Sequence, residues 1–69
     1  MITQRGRYRF AVKETVQGTC WLAAEPAGET IKGLDGLLGF ELQSGITLHD
    51  ARQMADLMNR RITYLTLTK

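Results

Sequence analysis

Two local patterns sit back to back in the last third of the chain, a helical period over residues 47–61 and a strict alternation over residues 62–68. Thr47 suits the N-cap, because its hydroxyl can accept a backbone N–H that the first turn leaves unpaired, and Asp50 stands three residues on, at the capping-box position. Leu48, Ala51, Met54, Ala55 and Met58 recur on one stripe, while His49, Arg52, Gln53, Asp56 and Asn59 take the far side. Leu57 falls about 120° from the centre of the stripe, so it is either exposed or covered by something outside the helix. Asp56 and Arg60 are ordered for an i, i+4 ion pair, and Arg60 and Arg61 suit the negative end of the helix dipole. A helix that runs without a linker into an alternating strand confines the chain to a small unit of one helix on a sheet.

The stretches upstream supply the other strands. Over residues 5–16, Tyr8, Phe10, Val12 and Val16 fall on one side, and Arg5, Arg7, Arg9, Ala11, Lys13 and Thr15 on the other. This is the period of a half-buried strand with a basic outer face. Gln17 and Gly18 supply a turn, and residues 19–25 return as a second strand around Trp21 until Pro26 stops it. Two registers are open: a two-residue loop sets Trp21 beside Val12 and Glu14 on the apolar face, and one more loop residue sets Leu22 there instead. Residues 27–36 are polar, glycine-bearing and aperiodic, the pattern of an irregular, mobile connection. Residues 37–43 alternate again, with Leu38, Phe40 and Leu42 inward, before Ser44 and Gly45. The predicted class is α+β, in two layers: an antiparallel sheet of three to four strands packed on one helix, in the order β-β-β-α-β, as a single domain over residues 1–69.

A chain of 69 residues buries only about 60% of the surface its unfolded form exposes. Its expected stability is about 3–10 kcal/mol, a range in which a disulfide, a metal or a partner subunit often adds support. A lone Cys20 cannot close an internal disulfide, and with His49 as the only histidine no four-ligand zinc set is evident. Both sides of the last strand carry apolar groups, Leu65 and Leu67 on one and Ile62 and Tyr64 on the other, whereas one helix covers one face. Trp21, Leu57, Ile62 and Tyr64 are therefore the candidate interface, and a second copy in a homodimer is the expected cover.

A hydrophobic content of 43% argues against disorder. Residues 1–5 are polar and no apolar run reaches the length of a membrane span, so a cytoplasmic setting without signal peptide or membrane segment is expected. A single cysteine fits a reducing compartment. The net charge of +2 is uneven, because Arg5, Arg7, Arg9 and Lys13 face only Glu14 within residues 1–16. Side chains two apart on a strand stand about 6.7 Å from each other, roughly twice the 3.4 Å step of one nucleic-acid strand. Arg5, Arg7, Arg9 and Lys13 are thus candidate nucleic-acid contacts. Readers of nucleic acid place stacking aromatics among such groups, whereas Tyr8 and Phe10 point the opposite way, as on a solvated face that deters edge pairing. Gly33, Gly36 and Gly39 recur every third residue, but Leu34 and Asp35 and the strand that follows fit neither a dinucleotide fingerprint nor a phosphate loop. Cys20 and His49 are the only thiol and imidazole, and their settings, a strand of small apolar residues and the polar side of a helix, read as packing and solvation. No catalytic residue, cofactor site or metal site is predicted.

Gly18, Trp21 and Pro26 in the hairpin, with Gly45, Thr47, Leu48 and Ala51 at the helix start, form a pattern that resembles the N-terminal domain of HicB-like antitoxins. Where that family has a proline and glycine turn soon after the second strand, this chain has residues 27–36. The resemblance implies a small bacterial, oligomeric, non-enzymatic module that binds a protein partner. Nucleic-acid binding by the basic strand face is the alternative reading.

Overall fold

The computed structural model describes residues 2–34, 36 and 38–69. The elements are β1 (Thr3–Gly6), β2 (Tyr8–Glu14), β3 (Cys20–Pro26), β4 (Leu38–Glu41), α1 (Leu48–Arg61) and β5 (Leu65–Thr68). As expected, the class is α+β, and an antiparallel sheet of three strands, ordered β2-β3-β4, packs on one helix. The expected first strand is divided: β1 leaves β2 at Arg7 and pairs antiparallel with β5 in a separate two-stranded sheet. Leu37, where the third strand was expected to begin, and Asp35 lie outside the described residues.

Gly6 explains the division. A Cβ there would stand 2.9 Å from the Glu29 carbonyl oxygen, 2.9 Å from Tyr8 Cε1 and 3.0 Å from the Ile31 nitrogen. Only a residue without a side chain lets the connection after β3 pass this close. The Arg7 N–H donates to Glu29 O (2.8 Å) and the Ala27 N–H to Arg7 O (2.9 Å), so the crossing segment takes over pairing at the break. Ile31 is buried at the crossing, and Tyr8 holds it there: the phenol oxygen accepts the Ile31 N–H (3.0 Å) and donates to Leu34 O (2.9 Å). The expectation of an irregular connection holds for its shape, but Ile31 makes it part of the core.

The hairpin resolves the register in favour of Leu22. Thr15 N–H donates to Thr19 O and Gly18 N–H to Thr15 O, a three-residue loop in which Gly18 takes the left-handed position at φ 87°. Val12 therefore faces Leu22 and Phe10 faces Ala24, while Trp21 pairs with Lys13 on the opposite face. Tyr8, Phe10, Leu22 and Ala24 line the helix side of the sheet, against Ala51 and Ala55 of α1. Alanine on both surfaces brings helix and sheet close together, and burial of Leu22 and Ile31 contributes about 1.5–3 kcal/mol each.

Helix α1 matches its sequence signals. Thr47 accepts the Asp50 N–H at 3.1 Å as N-cap, and Arg60 meets Asp56 at 3.1 Å in an exposed i, i+4 pair. Asn59 departs from expectation. Its side-chain amide accepts the Phe10 N–H and donates to Phe10 O, both at 2.8 Å, acting as one rung of a missing strand along the outer edge of β2. In β5, Leu65 and Leu67 turn to the core as expected.

Two substitutions test the crossing. Gly6→Ala should cost about 1–3 kcal/mol through steric overlap, and Tyr8→Phe about 1–3 kcal/mol through the buried Ile31 N–H it leaves unpaired. Urea unfolding followed by circular dichroism measures both, and a Gly6→Ala protein as stable as the parent would contradict the tight passage.

Candidate functional site

The eight residues singled out by sequence do not gather on one surface. Arg5 and Arg7 converge on Tyr64 of the segment between α1 and β5. The Arg5 guanidinium carbon lies 4.3 Å from the ring centroid and that of Arg7 5.5 Å. The ladder brings them near, since Arg5 faces Thr66 and the pairing ends at Gly6 with Leu65, the residues next to Arg7 and Tyr64. Contacts of this kind contribute about 0.5–1 kcal/mol at exposed positions. The cover expected from a second copy is thus supplied in part by the chain's own arginines.

Arg7 and Arg9 also line a groove of about 510 Å³ between the start of β2 and the end of α1, whose other walls include Asn59, Arg60, Ile62 and Thr63. Three guanidinium groups border this groove, and the one on Arg60 is shared with Asp56. Neither Asn59 nor Arg60 was a candidate from sequence, because helical periodicity put both on the solvent side. The only hint was the polar position of Asn59 one turn after Ala55. Lys13 does not join this set. It pairs with Glu25 at 3.6 Å, reaching across the Ala11 and Ala23 rung on the far face of the sheet.

Trp21 lies on that far face, half-buried, and the absent side chain of Gly39 makes its place: a Cβ at Gly39 would stand 3.0 Å from indole Cε3 and Cζ3. Trp21, Gly39, Glu41, Thr15 and Thr19 line a second groove of about 760 Å³. Cys20 borders it, with its thiol 3.9 Å from Ile46 O, and His49 is exposed on the first turn of α1. Leu57 is 49% exposed on α1, and Ile62, at the C-cap of the helix, is 37% exposed.

The arrangement provides binding chemistry: guanidinium groups around an aromatic ring for anionic groups, and uncovered aliphatic side chains for apolar ones. Among the described residues, no three of histidine, cysteine, aspartate and glutamate cluster where they could hold a metal ion, and no helix is long and apolar enough to cross a membrane. No family model, curated protein or solved structure matches the chain.

Gly39→Ala should push the indole off β4 and expose it. The emission of Trp21, the only tryptophan, should shift to the red in the folded protein while circular dichroism stays unchanged. An unshifted spectrum would show that the ring does not depend on the gap at Gly39.

Proposed function

We propose that this chain is a small, non-enzymatic, homodimeric binding module of the bacterial cytoplasm that engages a protein partner, as its resemblance to the N-terminal domain of HicB-like antitoxins implies. One observation carries the reading: Met54 and Leu57 lie along one shoulder of α1 at 38% and 49% exposure, and Leu38 on β4 is 37% exposed. Ile2, Val16 and Ile46 are exposed singly elsewhere and need no explanation, whereas exposed aliphatic residues side by side on one helix shoulder are a feature of association surfaces. Asn59 reaches the outer edge of β2 from the opposite shoulder, so the Met54 and Leu57 shoulder turns toward the β4 side, where Leu38 stands.

Sedimentation equilibrium at micromolar concentration should give twice the 7.8 kDa protomer mass, and a stable monomer would overturn the dimer. Leu57→Glu should leave the free energy of unfolding within about 0.5 kcal/mol of the parent, as for a surface position. A larger loss in urea unfolding would make Leu57 a contact of the fold instead of a contact for a partner.

A second reading, nucleic-acid binding, is favoured by Tyr64. The basic strand face lacked an aromatic group in the sequence, and the fold supplies one between Arg5 and Arg7. With Arg5, Arg7, Arg9 and Arg60 each meeting a phosphate, log K should fall with log salt at a slope of about −3.6 for a duplex. An Arg7→Glu, Arg9→Glu protein that binds DNA as tightly as the parent would remove this reading.

A further inference from the structure

We propose that two copies join through β4, edge to edge, so that their three-stranded sheets become one six-stranded antiparallel sheet. The inference rests on the dimer of the proposed function and names its surface. Hydrogen-bonded rungs recur at every second residue of an antiparallel pair. The Thr15 to Thr19 and Ala27 to Arg7 bonds fix the phase between β2 and β3, so Trp21, Ala23 and Glu25 bond toward β2. Leu22 and Ala24 then bond toward β4, where they face Phe40 and Leu38. The N–H and C=O groups of Gly39 and Glu41 consequently point away from the sheet, and no strand among the described residues pairs with that edge.

This edge is self-complementary in one register. A two-fold axis at Phe40 sets Gly39 opposite Glu41 of the second copy, with both residues offering outward N–H and C=O groups, and four hydrogen bonds close across the axis. The charged Glu41 then faces a residue with no side chain, and the two glutamates do not meet. On the helix side, Phe40 meets its own copy, extending the tilted contact it makes with Phe10 at 6.1 Å, and Leu38 faces Leu42 of the second copy. The half-exposed leucine gains the cover it lacks in one protomer.

Two other sheet edges fit a second copy less well. The Asn59 amide occupies the outer edge of β2 at Phe10. The outward groups of β5 belong to Thr66 and Thr68, both exposed and polar. The helix packs over β2 and β3, which places the two helix axes of the dimer about 19 Å apart at a strand spacing of about 4.8 Å. Leu57 of one copy therefore does not touch Leu57 of the other and remains free for a protein partner.

Proline at position 41 separates this interface from others. Proline is tolerated on an edge strand where its N–H faces outward, so Glu41→Pro deletes two of the four intermolecular bonds while leaving the ladder with β3 intact. Sedimentation equilibrium of the full chain should show the dissociation constant of Glu41→Pro raised about tenfold or more, that of Leu57→Glu unchanged, and the parent dimeric. Glu41→Gln, which keeps the N–H, should dimerise as the parent does and controls for the lost charge. Should Glu41→Pro fail to fold by circular dichroism, hydrogen exchange of the parent decides: the Gly39 and Glu41 amides should become protected as protein concentration rises through the dissociation constant. A dimer in which those amides stay unprotected, or which Leu57→Glu dissociates and Glu41→Pro does not, would overturn the β4 interface but leave the dimer standing. A monomeric parent would overturn both.

Discussion

The phenol oxygen of Tyr8 holds the two halves of the molecule together. It accepts the Ile31 N–H and donates to Leu34 O, so one side-chain atom orders a connection that has no helix or strand of its own. The contact depends on Gly6, where the chain crosses at a distance that leaves no room for a Cβ. Once Ile31 is seated, β1 can no longer continue beside β3, and it pairs with β5 instead. The second sheet is thus a consequence of a steric condition at one residue and a pair of hydrogen bonds at another.

The elements whose signals are local were legible in the sequence. Thr47, Asp50 and the alanine stripe announce α1, and alternation announces the hairpin and β4, because capping, helical period and pleat are decided by near neighbours. Features decided by distant parts of the chain were not legible. Nothing near Gly6 in sequence says that residues 29–31 will press on it, and an isoleucine within a polar stretch gives no periodicity by which to place it in the core. The hairpin register turned on one loop residue, which moved Trp21 to the far face and Leu22 inward. Asn59 was misplaced for a related reason: a helical wheel says which way a side chain leaves the helix, whereas an amide can reach sideways to a strand edge that the wheel does not contain.

The same division separates the basic residues. On a continuous strand Arg5, Arg7, Arg9 and Lys13 would form one row, and the break at Arg7 splits it. Arg5 and Arg7 turn to Tyr64, Arg7 and Arg9 border the groove with Arg60, and Lys13 is neutralised by Glu25 on the sheet's far face. What remains is a compact cationic corner at one end of β2, with an aromatic ring inside it. Its arginines already contact that ring, so an incoming anion would compete with a contribution of only about 1 kcal/mol or less.

The placement of the helix decides what stays uncovered. Asn59 ties α1 to the outer edge of β2, and Ala51 and Ala55 let it sink against Phe10, Leu22 and Ala24. Both effects draw the helix toward β2 and away from β4. A helix about 10 Å across spans two strands spaced about 4.8 Å apart, so a three-stranded sheet keeps one strand without a lid. That strand is β4, on which Leu38 is exposed while Phe40, and Leu42 just past its end, are half-buried against the core. The outward N–H and C=O groups of Gly39 and Glu41 lie on the same strand, so the polar edge and the exposed Leu38 of the proposed β4 interface come from a single element.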